Sequence, residues 1–196
     1  MTFVVLEGFS GSGKTTLARG LETKGWVRLP ESAHAVPASV PVGEGADTYS
    51  DLTLFGSTMS YCSAISRLRT GSMIVSEGYL LSDLAYARIR YDLGKSRAYP
   101  GMLAMCKSVL SEPAMVPDLY VLLEARPETI GRRQAEKDAR ERNQNSYFRR
   151  SYYDVLTGLH EDLAQTNVER LLTDRDHPIT LTALVSLLKR KGLGLS

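Results

Sequence analysis

The sequence predicts an α/β fold, a five-stranded parallel sheet flanked by helices on both faces. Two observations lead to this prediction. Short apolar runs rich in β-branched and aromatic residues alternate with longer segments whose apolar residues recur at helical spacing. Strands that alternate with helices favour a parallel sheet, and helices then cover both of its faces. Residues 1–196 are expected to form one domain, because this length leaves room for one substantial core.

The predicted strands are short apolar runs with clear ends. The first, TFVVLE, ends at glycine, the second is closed by Pro30, and the fourth is introduced by Pro117 and Asp118. The predicted strands are residues 2–7, 26–29, 73–77, 119–123 and 168–172.

The predicted helices lie between these strands and after the last. The first carries apolar residues at helical spacing and stops at Gly25, and the second stops near Gly71. Residues 31–50, with prolines, small residues and two glycines, are predicted to form a mobile loop beside the site. The predicted helices are residues 15–24, 52–69, 82–91, 127–165 and 180–189. One further helix, about ten residues long, is predicted after the turn-rich stretch 94–101.

A glycine-rich loop joins the first strand to the first helix. Residues 8–15, GFSGSGKT, fit the phosphate-binding pattern GxxxxGK[ST] without a mismatch. Glycine gives the loop the backbone torsions that wrap N–H groups around a phosphate, and the following helix adds its positive end. Lys14 reaches the β- and γ-phosphates, and the Thr15 hydroxyl can coordinate Mg²⁺. The predicted nucleotide-binding residues are Gly8, Ser10, Gly11, Ser12, Gly13, Lys14, Thr15 and Thr16.

Ligands of a parallel sheet bind at the carboxyl ends of its strands. Glu31 and Glu77 follow the second and third strands beside the loop. A carboxylate there can hold Mg²⁺ or accept the proton of an acceptor hydroxyl, and these two roles stay open for the pair. Glu7 also ends a strand, where bracing the loop is the expected role.

Composition narrows the expected partners and location. The net charge of +2 is too small to indicate nucleic-acid or membrane binding by itself. Cys62 and Cys106 match no metal-ligand spacing and are expected to be buried thiols of a reducing compartment. Without a long apolar run or a signal-peptide pattern, a cytoplasmic protein is expected. The expected partners are ATP and a small-molecule acceptor, and a homodimer stays open.

The absence of an Asn/Thr-Lys-x-Asp guanine-reading motif, together with the small size, points to a small-molecule kinase rather than a GTPase. The chain then resembles the thymidylate kinase and deoxynucleoside kinase group of P-loop kinases. FVVLEGFSGSGKTT resembles that family's first strand and loop, and residues 77–86 fall on its D-R-Y-x-x-S-x-x-A-Y pattern. PDLYVLLEARPETIGRR resembles its fourth strand and the start of its arginine-bearing lid. The resemblance implies a P-loop kinase fold with a helical lid.

The resemblance also implies roles for individual residues. LPES is similar to the PEP segment of deoxynucleoside kinases, which makes Glu31 the expected base and Glu77 the expected magnesium or acceptor ligand. Residues 126–150 are rich in arginine, and a lid at about 132–148 would clamp the transferred phosphoryl group and exclude water. Arg133, Lys137 and Arg142 match the family's lid best, with Arg133 and Arg142 expected to be catalytic. The expected substrate contacts are Phe55, Tyr79, Tyr86 and Arg88, with Tyr61 nearby.

Three departures from the family pattern concern the acceptor. Gly78 replaces an arginine associated with the acceptor phosphate, Ser10 replaces an acid, and Gly56 falls near the arginine that approaches thymine. The prediction is therefore an ATP-dependent kinase of a nucleoside- or nucleotide-like molecule. A kinase of a non-nucleoside metabolite or antibiotic, and a nucleotide-binding switch with little turnover, remain alternatives.

Overall fold

Five parallel strands form the central sheet of the computed structural model, which describes residues 2–68, 71–136, 146–163 and 167–194. Their spatial order is β2-β3-β1-β4-β5, and every neighbouring pair is parallel. The predicted α/β architecture is confirmed, and all five strands lie within one residue of their predicted ends. The strands are β1 (Thr2–Glu7), β2 (Val27–Leu29), β3 (Met73–Glu77), β4 (Leu119–Glu124) and β5 (Val168–Leu172).

Helices connect the strands and cover both faces of the sheet. Successive side chains of β1 point to opposite faces, as a strand requires. Phe3 and Val5 pack into one apolar cluster, and Val4 and Leu6 pack into another. The helices described are α1 (Lys14–Glu22), α2 (Thr48–Leu68), α3 (Leu80–Asp92), α4 (Tyr99–Leu110), α5 (Pro127–Ala135), α6 (Ser146–Leu163) and α7 (His177–Arg190). No helix in these described ranges is long and apolar enough to cross a membrane.

The largest differences from the predicted helix boundaries concern α2 and the segment 127–165. α2 begins at Thr48 rather than residue 52, because the Asp47 side chain accepts a hydrogen bond from the Ser50 backbone N–H (2.9 Å). The segment predicted as one helix over 127–165 contains α5 and α6 as separate helices, with residues 137–145 outside the described part.

The predicted loop at 31–50 holds short 3₁₀ turns at Ser32–His34 and Gly43–Gly45, and α2 already begins within it. Both cysteines are buried and unpaired, as predicted.

The carboxyl ends of the strands gather the chemically active side chains at one edge of the sheet. Glu7 ends β1, Glu77 ends β3, and Thr173 follows β5. The glycine loop and the turns after β2 and β3 meet at this edge. Two cavities lie there: one against the glycine loop, here called the donor cavity, and one between α2 and α3, here called the acceptor cavity.

Candidate active site

The glycine loop has a backbone that side chains at its key positions would disrupt. Gly8, Gly11 and Gly13 have φ values of +150°, +90° and +99°. A Cβ at Gly8 would lie 2.5 Å from Ser12 Oγ and 2.8 Å from the Leu123 carbonyl oxygen. Torsion therefore favours glycine at all three positions, and space also requires it at Gly8. α1 begins directly after the loop at Lys14.

Lys14 is folded back onto the loop. Its Nζ donates a hydrogen bond to the Gly8 carbonyl at 2.7 Å and lies 3.8 Å from Glu31 Oε1. The side chain is buried, and these contacts hold the ammonium against the glycine loop. The loop therefore combines a fixed cation with a helix N-terminus, which is the chemistry of a polyphosphate site.

Both carboxylate oxygens of Glu77 accept a hydrogen bond from a neighbouring side chain. Thr15 Oγ1 donates to Oε2, and Arg28 Nε donates to Oε1 at 2.5 Å. Arg28 is on β2, and sequence reasoning assigned it no role. Glu77 is thus a buried carboxylate bound by a hydroxyl and a guanidinium, and it lines the acceptor cavity.

Three side chains fasten the outer side of the glycine loop. Thr173 Oγ1 donates to the Ser12 carbonyl at 2.7 Å, and Gln134 Nε2 donates to the Ser10 carbonyl at 2.6 Å. Arg133 Nη1 donates to the Gly11 carbonyl at 3.2 Å, while its Nη2 donates to the Thr173 carbonyl at 2.6 Å. Desolvation lowers the pKa of the Arg133 guanidinium. Arg133 therefore braces the loop and also lines the donor cavity.

The donor cavity contains most of the predicted nucleotide-binding residues. Its lining includes Gly11, Gly13, Lys14, Thr15, Thr16 and Arg133, with Glu31 at one side. Ser10 lies instead in the lining of the acceptor cavity. Ser12 is buried, and its hydroxyl oxygen has no hydrogen-bond partner.

The acceptor cavity is centred on α3. Tyr79, Ser82, Asp83, Tyr86 and Arg90 line it, and these residues recur every three or four positions on one helical face. α2 contributes Asp51, Thr58 and Tyr61 from the opposite side. Glu31 lines this cavity as well as the donor cavity, so the two spaces meet at its carboxylate.

A buried ion pair closes one end of the acceptor cavity. Arg90 Nε donates to Asp51 Oδ1 at 2.9 Å, its Nη2 donates to the same oxygen, and its Nη1 donates to the Gly43 carbonyl at 3.0 Å. The guanidinium also lies over the rings of Tyr86 and Phe148, 5.6 Å and 5.9 Å from their centroids. Each of the three nitrogens of Arg90 therefore already donates one hydrogen bond to the protein.

Two further carboxyls near the cavity have raised pKa values. Burial raises the pKa of Glu7 to about 8 and that of Asp83 to about 7. Glu7 accepts a hydrogen bond from Ser82, and its Oε1 has no partner. Asp83 accepts a hydrogen bond from the Thr58 hydroxyl at 2.5 Å.

Two of the predicted substrate contacts lie outside the cavity. Phe55 is fully buried in the apolar core and lines neither cavity. Arg88 is exposed, pairs with Asp92 on its own helix and lies over Tyr99. Tyr79 and Tyr86 do line the acceptor cavity, although the Tyr79 hydroxyl is turned toward Cys62 Sγ at 3.3 Å.

Sequence reasoning missed Arg90, and a helical argument would have found it. Tyr86 and Arg90 are four residues apart, so they share a face of α3, whereas Arg88 is half a turn away from Tyr86. Asp51 and Arg28 carry no comparable signal, because each becomes significant only through a partner distant in sequence. Lys137 and Arg142 of the predicted lid lie outside the described residues.

The donor side of the site fits Mg²⁺ only together with a nucleotide. Thr15 Oγ1 and Glu77 Oε2 are hard oxygen donors side by side, which suits this ion. In the described ranges no three or more His, Cys, Asp or Glu side chains are grouped to hold a metal. The remaining ligands would therefore be phosphate oxygens and water.

Two thymidylate kinases are similar to this chain in sequence. The thymidylate kinase of Chlamydia felis (strain Fe/C-56) is 28% identical over 153 residues, which cover 69% of this chain and 72% of that protein. The probable thymidylate kinase of Pyrobaculum aerophilum is 28% identical over 169 residues, covering 79% and 81%. No protein-family model matches the sequence.

Solved structures of related enzymes have the same fold. The thymidylate kinase of Candida albicans superposes with a TM-score of 0.68 at 17% identity, covering 98% of this chain and 92% of that one. The deoxyadenosine kinase of M. mycoides with bound dATP superposes with a TM-score of 0.65 at 17% identity, covering 96% and 100%. The sequence relatives and the shared fold together support a thymidylate kinase- and deoxynucleoside kinase-like family for this chain.

Proposed function

We propose that the protein transfers the γ-phosphate of ATP to a hydroxyl or phosphate group of a nucleoside- or nucleotide-like small molecule. The observation that carries this proposal is the position of Glu31. Its carboxylate lines both the donor cavity and the acceptor cavity. A phosphoryl group that leaves the glycine loop toward an acceptor would pass beside this side chain.

The glycine loop supplies the positioning that phosphoryl transfer requires. Its N–H groups and the start of α1 would hold the donor's phosphates, and Lys14 would turn from the Gly8 carbonyl to the β- and γ-oxygens. Thr15 and Glu77 would hold Mg²⁺, which when bound would neutralise charge on the phosphates. ATP as the donor and Mg²⁺ as its ion are part of this proposal.

The contacts of the two acids favour different roles for them. Glu77 has one oxygen bound by Thr15 and the other by Arg28, so the protein already fixes the position of its carboxylate. Glu31 is partly exposed, with 30% of its side chain accessible, and its nearest cation, Lys14, is 3.8 Å away. We therefore assign proton abstraction from the acceptor hydroxyl to Glu31 and metal positioning to Glu77.

Positive charge for the transition state would come from the segment that follows β4. Arg133 lines the donor cavity and could turn from the Gly11 carbonyl to a phosphate oxygen. Arg142 keeps its predicted catalytic role in a lid over residues 132–148. A cytoplasmic location, a single domain and a homodimer likewise stay proposals.

The proposal is tested by ADP release in a coupled assay across a panel of hydroxylated and phosphorylated acceptors. Lys14→Ala should abolish turnover while the protein stays folded, because the loop loses its fixed charge. Glu31→Gln should lower kcat by roughly 10²–10⁴-fold with little change in the KM for ATP, since general-base catalysis has this magnitude. Glu112→Gln is the control, because Glu112 is exposed and lines neither cavity.

Two results would contradict the proposal. Turnover by Lys14→Ala at the wild-type rate would remove the donor-site assignment. If no acceptor raised ADP release above background although ATP bound, the protein would instead be a nucleotide-dependent switch. If a non-nucleoside acceptor were the best substrate, the kinase activity would be supported and the proposed class of acceptor would change.

A further inference from the structure

We infer that the acceptor carries a protonated amine and no phosphate group, and that Asp51 and Asp83 bind the amine. This inference rests on the proposed function, because it names the substrate class of the same site. It runs against the monophosphate acceptor that the name of the sequence relatives would suggest.

The first step is the balance of charge in the acceptor cavity. Four carboxylates line it, and three of them have a cation beside them. Glu77 pairs with Arg28, Glu31 lies near Lys14, and Asp51 pairs with Arg90. Asp83 is held by the Thr58 hydroxyl at 2.5 Å, and the ion pairs found for the described residues do not include it. The wall between α2 and α3 therefore carries one carboxyl group without an ion-pair partner among the described residues.

Second, one carboxylate oxygen of Asp51 has no hydrogen-bond partner. Both donor contacts of Arg90 go to Oδ1, while Oδ2 is buried and has no hydrogen-bond partner. The Asp51 side chain is only 1% exposed, so water does not replace the missing donor easily. A buried carboxylate oxygen without a donor is costly, which makes it a point where a ligand donor would be gained.

The third step is the lack of a place for a phosphate. Arg90 is the one lysine or arginine among the described residues that line this cavity. Its three donor nitrogens are already directed at Asp51 and the Gly43 carbonyl. A phosphate monoester carries close to two negative charges and is bound through arginine or lysine donors, so here it would meet four carboxylates and one committed guanidinium. Gly78 adds no charge at the turn after β3.

An ammonium group satisfies each of these conditions. It offers three donors, enough for Asp51 Oδ2 and Asp83 together, and its unit charge balances the carboxylate that lacks a cation. Burial and, to a lesser degree, the charges of Glu31 and Asp51 together raise the pKa of Asp83 to about 7, against the lowering effect of the Thr58 hydrogen bond and of Arg90. A bound cation would remove that penalty.

The test compares acceptors that differ in one charged group. Adenosine, 3′-amino-3′-deoxyadenosine and adenosine 5′-monophosphate form one series, and glucose with 2-amino-2-deoxyglucose forms a second. ADP release is measured at about pH 7 for the wild type, Asp83→Asn and Asp92→Asn. Asp92 is the matched control, because it is an exposed carboxylate on the same helix that does not line the cavity.

In at least one series the amine should have the lowest KM in the wild type, by about ten-fold or more relative to its neutral parent, as expected for a charge-assisted hydrogen bond. Asp83→Asn should remove that difference, and Asp92→Asn should keep it. If Asp83→Asn does not fold, the KM values of the wild type for the neutral, amine and monophosphate acceptors still test whether a cationic acceptor is preferred.

Several outcomes overturn the inference and leave the proposed function standing. They are a monophosphate as the best acceptor, a neutral parent equal to or better than its amine in both series, or an amine preference that survives in Asp83→Asn. Calorimetric titration of the same compounds without ATP separates the two proposals. Asp83-dependent binding of an amine without any ADP release would support the inference while removing the kinase proposal.

Discussion

Gly78 shows at a single residue how the backbone decides which side chain this site can hold. Its φ is +76°, a region that residues other than glycine rarely adopt. Its N–H donates to the Leu6 carbonyl at 2.8 Å, and its carbonyl accepts from Ser76 Oγ at 2.6 Å, so the turn is fixed from both sides. The arginine expected by resemblance at this position would require a different turn after β3.

We predict that Gly78→Ala lowers the free energy of unfolding by about 1–2 kcal/mol, the usual cost of a left-handed backbone for an alanine. Gly56→Ala is the matched control. Gly56 lies inside α2, and a Cβ there would meet no atom within 4 Å, so the same change should raise stability by about 0.5–1 kcal/mol. Urea denaturation of both variants measures the difference, and equal effects would contradict the role of the turn.

At the scale of the helix, α3 has an active-site face and a solvent face. Tyr86 and Arg90 lie on the first, and Arg88 and Asp92 lie on the second. The two arginines are two residues apart in sequence, yet Arg90 is 3% exposed and Arg88 is 45% exposed. Position on the helix, rather than residue type, separates them.

Arg90→Ala is therefore expected to lower the free energy of unfolding by about 3–5 kcal/mol, because it leaves the Asp51 carboxylate buried without its cation. Arg88→Ala removes an exposed pair spaced four residues apart, which contributes about 0.3–0.5 kcal/mol. Chemical denaturation monitored by circular dichroism would distinguish the two. A larger loss for Arg88→Ala would contradict the assignment of faces.

The turn between β5 and α7 forms a second element-scale feature. Thr173 lies there, and its hydroxyl joins the Ser12 carbonyl of the glycine loop to the Glu124 carbonyl of β4, at 2.7 Å and 3.1 Å. One hydroxyl thus connects the loop to the edge of the sheet.

Thr173→Val keeps the branched shape and removes the donor, so we expect a loss of about 1–3 kcal/mol in stability and a higher Kd for ATP. Thr182→Val is the control, because the exposed Thr182 hydroxyl donates only to the Pro178 carbonyl within α7. Isothermal titration with ATP and thermal unfolding check both effects. An unchanged ATP Kd for Thr173→Val would show that the connection does not shape the loop.

The elements were largely predictable from the sequence, and the contacts between them were not. Apolar runs and helical spacing placed all five strands, since these signals are local. Asp47 as the cap of α2 also had a local signal, its position three residues before Ser50, yet the predicted start fell four residues late. Arg28 on Glu77 and Thr173 on Ser12 join residues 49 and 161 positions apart, and no pattern within one segment reports such pairs.

For the whole molecule, two buried titratable groups make stability depend on pH in opposite directions. Burial raises the pKa of Glu7 to about 8 and lowers that of His160 to about 4. Neither ring nitrogen of His160 has a hydrogen-bond partner, and its ring lies against Tyr120. Acid destabilises the fold through His160, and base destabilises it through Glu7.

The Glu7 contribution is testable through its sign. The unfolded chain loses the proton near pH 4.5 and the folded chain near pH 8, so stability should fall between these values by up to about 1.4 kcal/mol per pH unit. Glu7→Gln should remove this slope, because an amide does not titrate. The difference in unfolding free energy between Glu7→Gln and wild type, followed from pH 5 to 8, measures it. The same difference for the exposed Glu161→Gln should stay flat, and a flat Glu7→Gln difference would contradict the prediction.

The three carbonyls of Ser10, Gly11 and Ser12 are each bound from outside the glycine loop. The loop therefore does not need to become ordered when a nucleotide arrives. Stopped-flow traces of ATP binding should therefore show no slow phase that reports ordering of this loop. The amides of this loop should also exchange slowly with deuterated solvent before any nucleotide is added. Differences in affinity between nucleotides would then come mainly from their dissociation rate constants.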